Sequence, residues 1–97
     1  MEIEKAIKEI IRTGKITYGT KETKEKIEEG KVEIVIIAKN TPREIKKEIK
    51  EKTKEKNILL KTYPGTSLEL GETCRRPHLT TTITIEDTGT VNKKEIE

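Results

Sequence analysis

Seven consecutive residues, Val32–Ala38, read Val-Glu-Ile-Val-Ile-Ile-Ala, and all but the glutamate are apolar. A strand with one face in water alternates apolar and polar residues, whereas a strand covered on both faces is apolar almost throughout. Only 30% of the residues are hydrophobic and 40% are charged, a balance that would indicate disorder if the apolar residues were scattered. Their concentration in short periodic blocks instead predicts a small, isoleucine-rich core with Val32–Ala38 as the central strand.

The residues before this strand predict a helix, a short strand and a second helix. Apolar residues recur at the spacing of one helical face over Ile3–Ile11, and Gly14 is placed to end that helix. The β-prone stretch Ile16–Tyr18 follows. A charged helix then opens at a threonine within residues 20–23 and closes near Gly30.

The next helix carries an N-terminal signature. Thr41, Pro42 and Glu44 have the positions of N-cap, first helical residue and capping-box partner. We therefore expect a helix that begins there and runs to about Lys56.

The C-terminal part predicts two further strands with a short helix between them. Ile58–Tyr63 forms the first strand and Pro64–Gly65 a turn, and Thr66–Glu69 opens the helix with a second capping box. Thr80–Glu86 alternates threonine and isoleucine as the last strand. Residues 87–97 are expected to form a weakly ordered end.

The order of these elements favours an α/β fold. Strands that alternate with helices, beginning with a helix, are typical of layers packed on one small sheet. Ninety-seven residues are near the usual size of one domain, so residues 1–97 are expected to form a single domain. No apolar run approaches the roughly 20 residues that span a bilayer, and Met1–Lys5 is too charged for a signal peptide. We expect a soluble, untargeted protein.

No residues form a convincing catalytic or metal site. A single cysteine excludes an intramolecular disulfide, and one cysteine beside one histidine argues against a closed zinc site. Cys74 and His78 are four residues apart, but Pro77 between them breaks helical geometry. The glycine motifs that cradle phosphate or carry an acyl-transfer nucleophile are absent, and the glutamates lie in Glu/Lys-rich helices typical of solvated faces. We expect no enzymatic activity, metal or cofactor, and a reducing, intracellular compartment.

Three short segments carry chemistry suited to RNA. Gly19 and Lys21 lie at a helix start, where free backbone N–H groups and the positive end of the helix dipole favour phosphate. Asn40 follows the central strand, so its amide is placed to read a base edge. Residues 75–78, Arg-Arg-Pro-His, offer two cations, a rigid turn and an imidazole just before the last strand. Taken singly, each segment also fits an ordinary turn.

The topology decides whether these segments act together. If the last strand runs opposite to the first two, its start lies at the sheet edge where Gly19 and Asn40 emerge, and the three loops form one surface. With only Tyr18 and Tyr63 as aromatic residues, the chain lacks the stacking groove of single-strand binders. The alternative is an interaction module without RNA, in which the lysine-rich helices bind an acidic protein.

Four motifs occur in a set order along the chain: Thr13-Gly14-Lys15, Gly19, Ala38-Lys39-Asn40-Thr41-Pro42 and Gly65-Thr66-Ser67-Leu68-Glu69-Leu70-Gly71. In order and spacing they resemble the L30e family of archaeal and eukaryotic ribosomal proteins. The stretch 76–78, Arg-Pro-His, is similar to that of archaeal members. Each piece is short, but together they are specific, and the resemblance covers residues 1 to about 90.

The resemblance implies a three-layer α/β/α sandwich around a mixed four-stranded sheet, without catalytic activity. It implies binding to kink-turn or related internal-loop RNA, with large-subunit ribosomal RNA and neighbouring ribosomal proteins as partners on the cytoplasmic ribosome. A monomer is expected for the free protein. Relatives of the wider fold also serve RNA-modifying particles, translational recoding and autoregulatory messenger sites, so a non-ribosomal kink-turn protein remains an alternative.

In that family the RNA surface comprises the loop into the second helix, the turn after the central strand and the loop before the last strand. The candidate RNA-binding residues of this chain are therefore Gly19, Thr20, Lys21, Thr23, Asn40, Arg75, Arg76, Pro77, His78 and Leu79. His78 occupies a position where some relatives carry an aromatic that packs on RNA. Relatives usually have glycine at Arg75, which predicts a change in the loop's backbone conformation, and many have tyrosine or another residue at Thr20. Cys74 is expected to pack in the core.

The excess of Glu, Lys and Ile over Asp, Met and Cys fits the composition of hyperthermophile proteins. An AT-rich genome produces the same bias. If the source is thermophilic, the Glu/Lys helices are expected to form ion-pair networks.

Overall fold

The computed structural model describes residues 2–96 and shows helices and strands in alternation. The elements are, in chain order, α1 (Ile3–Thr13), β1 (Lys15–Tyr18), α2 (Thr20–Glu29), β2 (Ile34–Ala38), α3 (Arg43–Glu55), β3 (Leu59–Tyr63), α4 (Ser67–Thr73), β4 (Thr82–Asp87) and a 3-10 turn at Lys93–Glu95. Each predicted element is present, with bounds that differ from the expected ones by a few residues.

The four strands form one mixed sheet in the order β1-β4-β2-β3. β2 and β3 are parallel, whereas β4 is antiparallel to both of its neighbours, β1 and β2. Tyr18 at the end of β1 lies opposite Ile83, and Ile37 near the end of β2 lies opposite Thr82. The carboxyl ends of β1 and β2 and the amino end of β4 therefore meet at the same edge of the sheet.

The sheet separates two apolar clusters, and all five residues of β2 are buried. α1 and α4 cover one face, in a cluster that includes Ala6, Ile7, Ile10, Ile34, Ile36, Ala38, Leu70, Ile83 and Ile85. α2 and α3 cover the other face, where the buried residues are Ile27, Val35, Ile37 and Ile49. Burying an isoleucine fully contributes about 1.5–3 kcal/mol, so a small core suffices when nearly every member is fully buried. The structure confirms the predicted α/β/α sandwich and its doubly covered central strand.

Only one of the two predicted capping boxes forms. The Thr66 hydroxyl accepts from the Glu69 N–H, and the Glu69 carboxylate accepts from the Thr66 N–H, as predicted. The box predicted at Thr41 and Glu44 is wrong, because α3 begins at Arg43 without a side-chain cap. Thr41 is buried, and its hydroxyl donates to the Ala38 carbonyl over 2.6 Å, which closes the end of β2 instead.

The C-terminal segment packs on the body of the molecule up to Ile96. Val91 and Ile96 are buried in the cluster beneath α1 and α4. The Thr13 hydroxyl accepts from the Thr90 N–H, and the Asn92 carboxamide accepts from the Lys94 N–H. Asp87 thus belongs to β4 and residues 88–96 contact the body, while the weak order expected for 87–97 stays a prediction and residue 97 lies outside the described residues. Two isolated apolar residues in a polar stretch gave no periodic signal.

Ion pairs join the lysine-rich helices to each other and to the sheet. Lys24 pairs with Glu48 and Lys52 with Glu28, both over 2.8 Å between α2 and α3. The mostly buried Glu86 carboxylate of β4 accepts from Lys26 over 2.8 Å and lies 3.5 Å from Lys15. The hydrogen bond from Lys26 lowers the pKa of Glu86. Each ion pair at the protein surface contributes little to stability by itself, because water and salt screen the charges.

Candidate nucleic-acid interface

The strand register brings three loops to one edge of the sheet. The Gly19 N–H donates to the Thr82 carbonyl over 3.1 Å, and the Ala38 N–H donates to the Thr81 carbonyl over 2.8 Å. The turns that follow β1 and β2 therefore flank the first residues of β4 on both sides. We refer to residues 19–23, Asn40 and residues 75–79 as the three-loop surface.

The turn into α2 is built on Gly19. Its φ of 103° and ψ of 149° suit glycine, because a Cβ strains this conformation. The Gly19 carbonyl accepts from both the N–H and the hydroxyl of Thr23, and the Thr84 hydroxyl donates to the Thr23 hydroxyl over 2.7 Å. Thr23 is completely buried, so its side chain holds the turn in place and offers no surface for contact.

Thr20 and Lys21 form the outer part of the same turn. Thr20 is half-buried with its hydroxyl 3.4 Å from that of Thr82, whereas Lys21 is exposed. Glu22 was missed by the sequence analysis, although its carboxylate lies close over Gly19. A carboxylate accepts hydrogen bonds and repels phosphate, so this part of the surface suits the donor groups of a base edge. The signal was available as an acidic residue in the first turn of α2.

Asn40 is exposed but held in one orientation by α4. Its carboxamide oxygen accepts from the Ser67 N–H over 2.7 Å, and its amide group lies 3.4 Å from the Ser67 hydroxyl. Because a backbone N–H can only donate, the oxygen must face Ser67, and the amide hydrogens are left for the hydroxyl and the outside. The turn after β2 is thus tied to the start of α4 as well as to β4.

Arg75 adopts the backbone conformation that glycine would take. Its φ is 57°, in the left-handed region, where a side chain costs roughly 1–2 kcal/mol. The expected difference from relatives with glycine stays a prediction, and in this chain the loop has a left-handed backbone at the expense of strain. The Arg75 N–H donates to the Glu72 carbonyl over 2.9 Å, and the Arg76 N–H donates to the Gly71 carbonyl over 2.8 Å. These bonds close the end of α4 and leave the Arg75 side chain exposed.

Arg76 differs from Arg75 because its guanidinium is stacked on an aromatic ring. Its Cζ atom lies 4.1 Å from the centroid of the Tyr18 ring, a cation–π contact. Its Nε atom is buried without a hydrogen-bond partner among the described residues. Burial raises the pKa of the Tyr18 hydroxyl, which stays neutral at physiological pH. Arg76 therefore joins the loop before β4 to the end of β1, a contact that sequence reasoning missed.

A depression of about 350 Å³ lies between these loops. Its lining includes Tyr18, Thr20, Glu22, Arg76 and Leu79. The Leu79 side chain is 68% exposed. Pro77 and His78 are also exposed, so the loop presents apolar and cationic groups together. This mixture suits a ligand that has both flat faces and phosphates.

Other candidate sites do not form within residues 2–96. Cys74 is buried in the core, as predicted, and burial raises the pKa of its thiol to about 11. Among these residues, no group of three or more His, Cys, Asp or Glu side chains is placed to hold a metal ion. No helix in the described part of the chain has the length and apolar character needed to cross a membrane.

Known proteins similar to this chain share most of its length. It is 35% identical to the large ribosomal subunit protein eL30 of Methanopyrus kandleri over 88 residues, which covers 91% of this chain and 81% of the relative. It is 37% identical to eL30 of Sulfurisphaera tokodaii over 86 residues, with 89% and 81% covered. It is 32% identical to eL30 of Methanocaldococcus jannaschii over 96 residues, with 99% and 87% covered.

The fold also matches a solved structure described as a protein with unknown function from Bacillus halodurans C. The TM-score is 0.74 at 18% identity, with 90% of this chain and 87% of that chain covered, which concerns the fold alone. A family profile described as "Ribosomal protein L7Ae/L30e/S12e/Gadd45 family" matches residues 1–95. Together with the relatives above, this match confirms the resemblance stated from the sequence, and the chain belongs to the ribosomal protein L7Ae/L30e/S12e/Gadd45 family.

Proposed function

We propose that this chain is a structural protein of the large ribosomal subunit, and that it binds kink-turn-type ribosomal RNA through the three-loop surface. The large-subunit names of its relatives, which align with nearly the whole chain, support the ribosomal role. In this proposal the chain has no catalytic function, works on the cytoplasmic ribosome beside neighbouring ribosomal proteins, and is a monomer when free.

One observation carries the RNA-binding part of the proposal. The backbone hydrogen bonds from Gly19 and Ala38 to the start of β4 place loops from three distant parts of the sequence side by side. Proteins that recognise folded RNA read its shape and its unstacked bases, a task suited to loops that backbone hydrogen bonds hold side by side. The three-loop surface combines cations, an oriented amide and exposed apolar groups.

In this proposal the side chains of the three-loop surface have different roles. Lys21 and Arg75 are exposed cations suited to phosphate. Asn40 and Glu22 present a fixed amide and a carboxylate, which suit complementary groups on bases splayed out at a kink. His78 and Leu79, with Pro77 beside them, pack against sugar or base faces.

Arg76 has a mainly positioning role in this proposal. Its guanidinium is partly covered and stacked on Tyr18, so it fixes the loop before β4 relative to the end of β1. Its positive charge still contributes to the field that attracts RNA.

The test compares a kink-turn RNA with an unkinked duplex of equal length at about physiological ionic strength, roughly 0.15 M. The proteins are the wild type, an Asn40→Ala, His78→Ala double variant and a Lys31→Ala control. Lys31 is exposed and follows Gly30, the C-cap of α2, at the opposite end of the strands from the three-loop surface. The wild type and the control are expected to prefer the kinked RNA, and the double variant to lose that preference. Equal, weak binding of the wild type to both RNAs would overturn the proposal.

Salt dependence distinguishes this surface from binding that tracks only total charge. Removing one phosphate-contacting cation lowers the slope of log affinity against log salt by about 0.7–0.9. Lys21→Ala is therefore expected to lower the slope, whereas Lys31→Ala leaves it unchanged. Equal slope changes in both variants would favour an acidic-protein partner or unspecific attraction.

A further inference from the structure

The exposed side of α3 has segregated charges. At about 100° per residue, Arg43, Lys46, Lys47 and Lys50 fall within an arc of about 100°. The glutamates of the same helix fall on a separate arc, and one of them, Glu48, pairs with Lys24 of α2. The acidic side of α3 thus faces α2, and the basic side lies beside β3, the outermost strand of the sheet on this side. We call Arg43, Lys46, Lys47 and Lys50 the α3 ridge.

The ridge borders a groove beside the edge strand β3. Within the sheet, β3 pairs with β2 alone, and most of its residues are only partly buried. The groove has a volume of about 570 Å³, with the α3 ridge as its wall and Ile37 and Leu60 in its floor. Among residues 2–96, no acidic side chain lines it. The groove lies outside the three-loop surface and shares none of its residues.

Three of the four cations are uncommitted. Lys46 donates to the Lys39 carbonyl over 2.8 Å, which ties it to the turn after β2. The side chains of Arg43, Lys47 and Lys50 form no ion pair or hydrogen bond with any residue between 2 and 96. By contrast, most lysines of α2 and the neighbouring Lys52 pair with glutamates. Leaving like charges together without partners costs stability through repulsion, so this pattern suits an anionic ligand.

The α3 ridge is continuous with the three-loop surface. Asn40 is followed by Thr41 and Pro42, and α3 begins with Arg43, so the ridge starts at the turn after β2. From Arg43 to Lys50 the helix advances roughly 10 Å away from that edge. A strand that leaves the three-loop surface on this side would pass over the cations in succession.

We propose that the α3 ridge binds the phosphate backbone of an RNA stem that extends beyond the kink, as a second and sequence-independent contact. This inference rests on the proposed binding of RNA by the three-loop surface. A row of unpaired cations that follows a helix matches a regular polyanion, and phosphate contacts position an RNA without reading its sequence. An acidic protein segment would match the charge too, but the continuity with the three-loop surface favours RNA.

The test uses three RNAs and two charge-matched variants. The first RNA has a kink-turn with two short stems. The second and the third each have one of these stems, a different one in each, lengthened by about ten base pairs, roughly one helical turn. The ridge variant is Arg43→Gln, Lys47→Gln, Lys50→Gln. The control is Lys5→Gln, Lys8→Gln, Arg12→Gln on α1, which removes the same residue types and lowers the net charge from +3 to 0 in the same way. Glutamine keeps the helix propensity nearly unchanged, and circular dichroism checks the fold.

The wild type is expected to bind one of the lengthened RNAs more tightly than the short one. Three phosphate contacts steepen the slope of log affinity against log salt by about 2.7. The gain in affinity from the longer stem is therefore expected to shrink about 40-fold between roughly 50 and 200 mM salt. The ridge variant is expected to lose the advantage while it keeps its preference for the short kink-turn over a duplex. The α1 control keeps both properties.

Three results would overturn the inference. The first is equal affinity of the wild type for all three RNAs, and the second is an equal loss in the ridge variant and the α1 control. The third is binding of an acidic peptide such as deca-glutamate that depends on the ridge while longer stems add nothing, which would assign the groove to a protein. Binding of the short kink-turn RNA tests the three-loop surface separately. If the wild type does not bind that RNA, its affinity for a plain duplex, compared with that of the ridge variant, still tests the α3 ridge.

Discussion

Gly71 in α4 sets the position of the loop before β4, so Gly71→Ala tests the architecture of the three-loop surface. A Cβ at this residue would lie closer to the His78 carbonyl oxygen than Cβ atoms come in real structures, and 3.4 Å from the Thr80 hydroxyl. The first of these is a backbone atom, which cannot rotate away. The Thr80 N–H, bonded to the Ser67 carbonyl over 3.0 Å, holds the same stretch against α4.

Two opposing effects set the size of the change. Alanine is favoured over glycine in a helix by about 1 kcal/mol, whereas overpacking a tight contact costs about 1–3 kcal/mol. We expect a net loss of about 1 kcal/mol in the free energy of unfolding, which lowers the Tm by about 4–8 °C in a domain of this size. To relieve the contact, the backbone of His78 must move, and the loop before β4 shifts with it. Kink-turn affinity is therefore expected to fall about tenfold, equal to about 1.4 kcal/mol.

Gly30→Ala is the matched control. Gly30 ends α2 at the opposite edge with a φ of 72°, and nothing lies within 4 Å of its added Cβ. The strain costs roughly 1–2 kcal/mol, so this variant is destabilised to a similar degree but keeps its RNA affinity. Thermal unfolding and RNA titration of both variants separate the effects. A Gly71→Ala protein that is more stable than wild type and binds RNA equally well would refute the reasoning.

Three further variants test other parts of the structure. Arg75→Gly removes the strain of the left-handed backbone, although glycine also loses more conformational entropy on folding. Urea unfolding should show a free energy of unfolding higher by about 0.5–1 kcal/mol, and a decrease would mean that Arg75 is not strained. Ile96→Ala should cost about 2–3 kcal/mol, whereas a change under about 0.5 kcal/mol, as for an exposed site, would mean that the C-terminal segment does not pack. The pKa of Glu86 is lower in the folded chain, so its contribution is complete above the ordinary carboxyl value near 4.3 and is lost as the pH falls through the lowered value. Glu86→Gln should therefore be less stable than wild type at pH 7, and urea unfolding should show this gap closing as the pH falls below the ordinary carboxyl value; a gap independent of pH would argue against the ion pair.

The sequence predicted the parts of the fold that depend on local pattern. The apolar run ending at Ala38 became a central strand buried along its whole length, and the capping box that starts at Thr66 formed as expected. The same reasoning failed at Thr41, because its hydroxyl can serve either the helix or the end of β2, and burial decided for the strand. Local pattern cannot resolve such a competition.

The parts of the site that escaped prediction depend on contacts distant in sequence. Arg76 meets Tyr18 only because β1 and β4 are neighbours, and Thr23 is buried because Thr84 of β4 lies behind it. The left-handed backbone at Arg75 occurs where two backbone hydrogen bonds close α4, a geometry that residue type alone does not indicate. The sequence thus indicated which residues belong to the three-loop surface. Which of them are exposed for contact with a ligand and which hold the loops in place depends on the topology of the sheet.

The most direct test of the three-loop surface is a map of the backbone amide signals that shift in NMR spectra when kink-turn RNA is added to the isotopically labelled protein. We predict that the largest shifts fall on residues 19–22, on Asn40 and on residues 75–79 apart from the proline, with few at the opposite edge around Gly30 and Asn57. Shifts centred on that opposite edge, or spread evenly over the lysine-rich helices, would contradict the account.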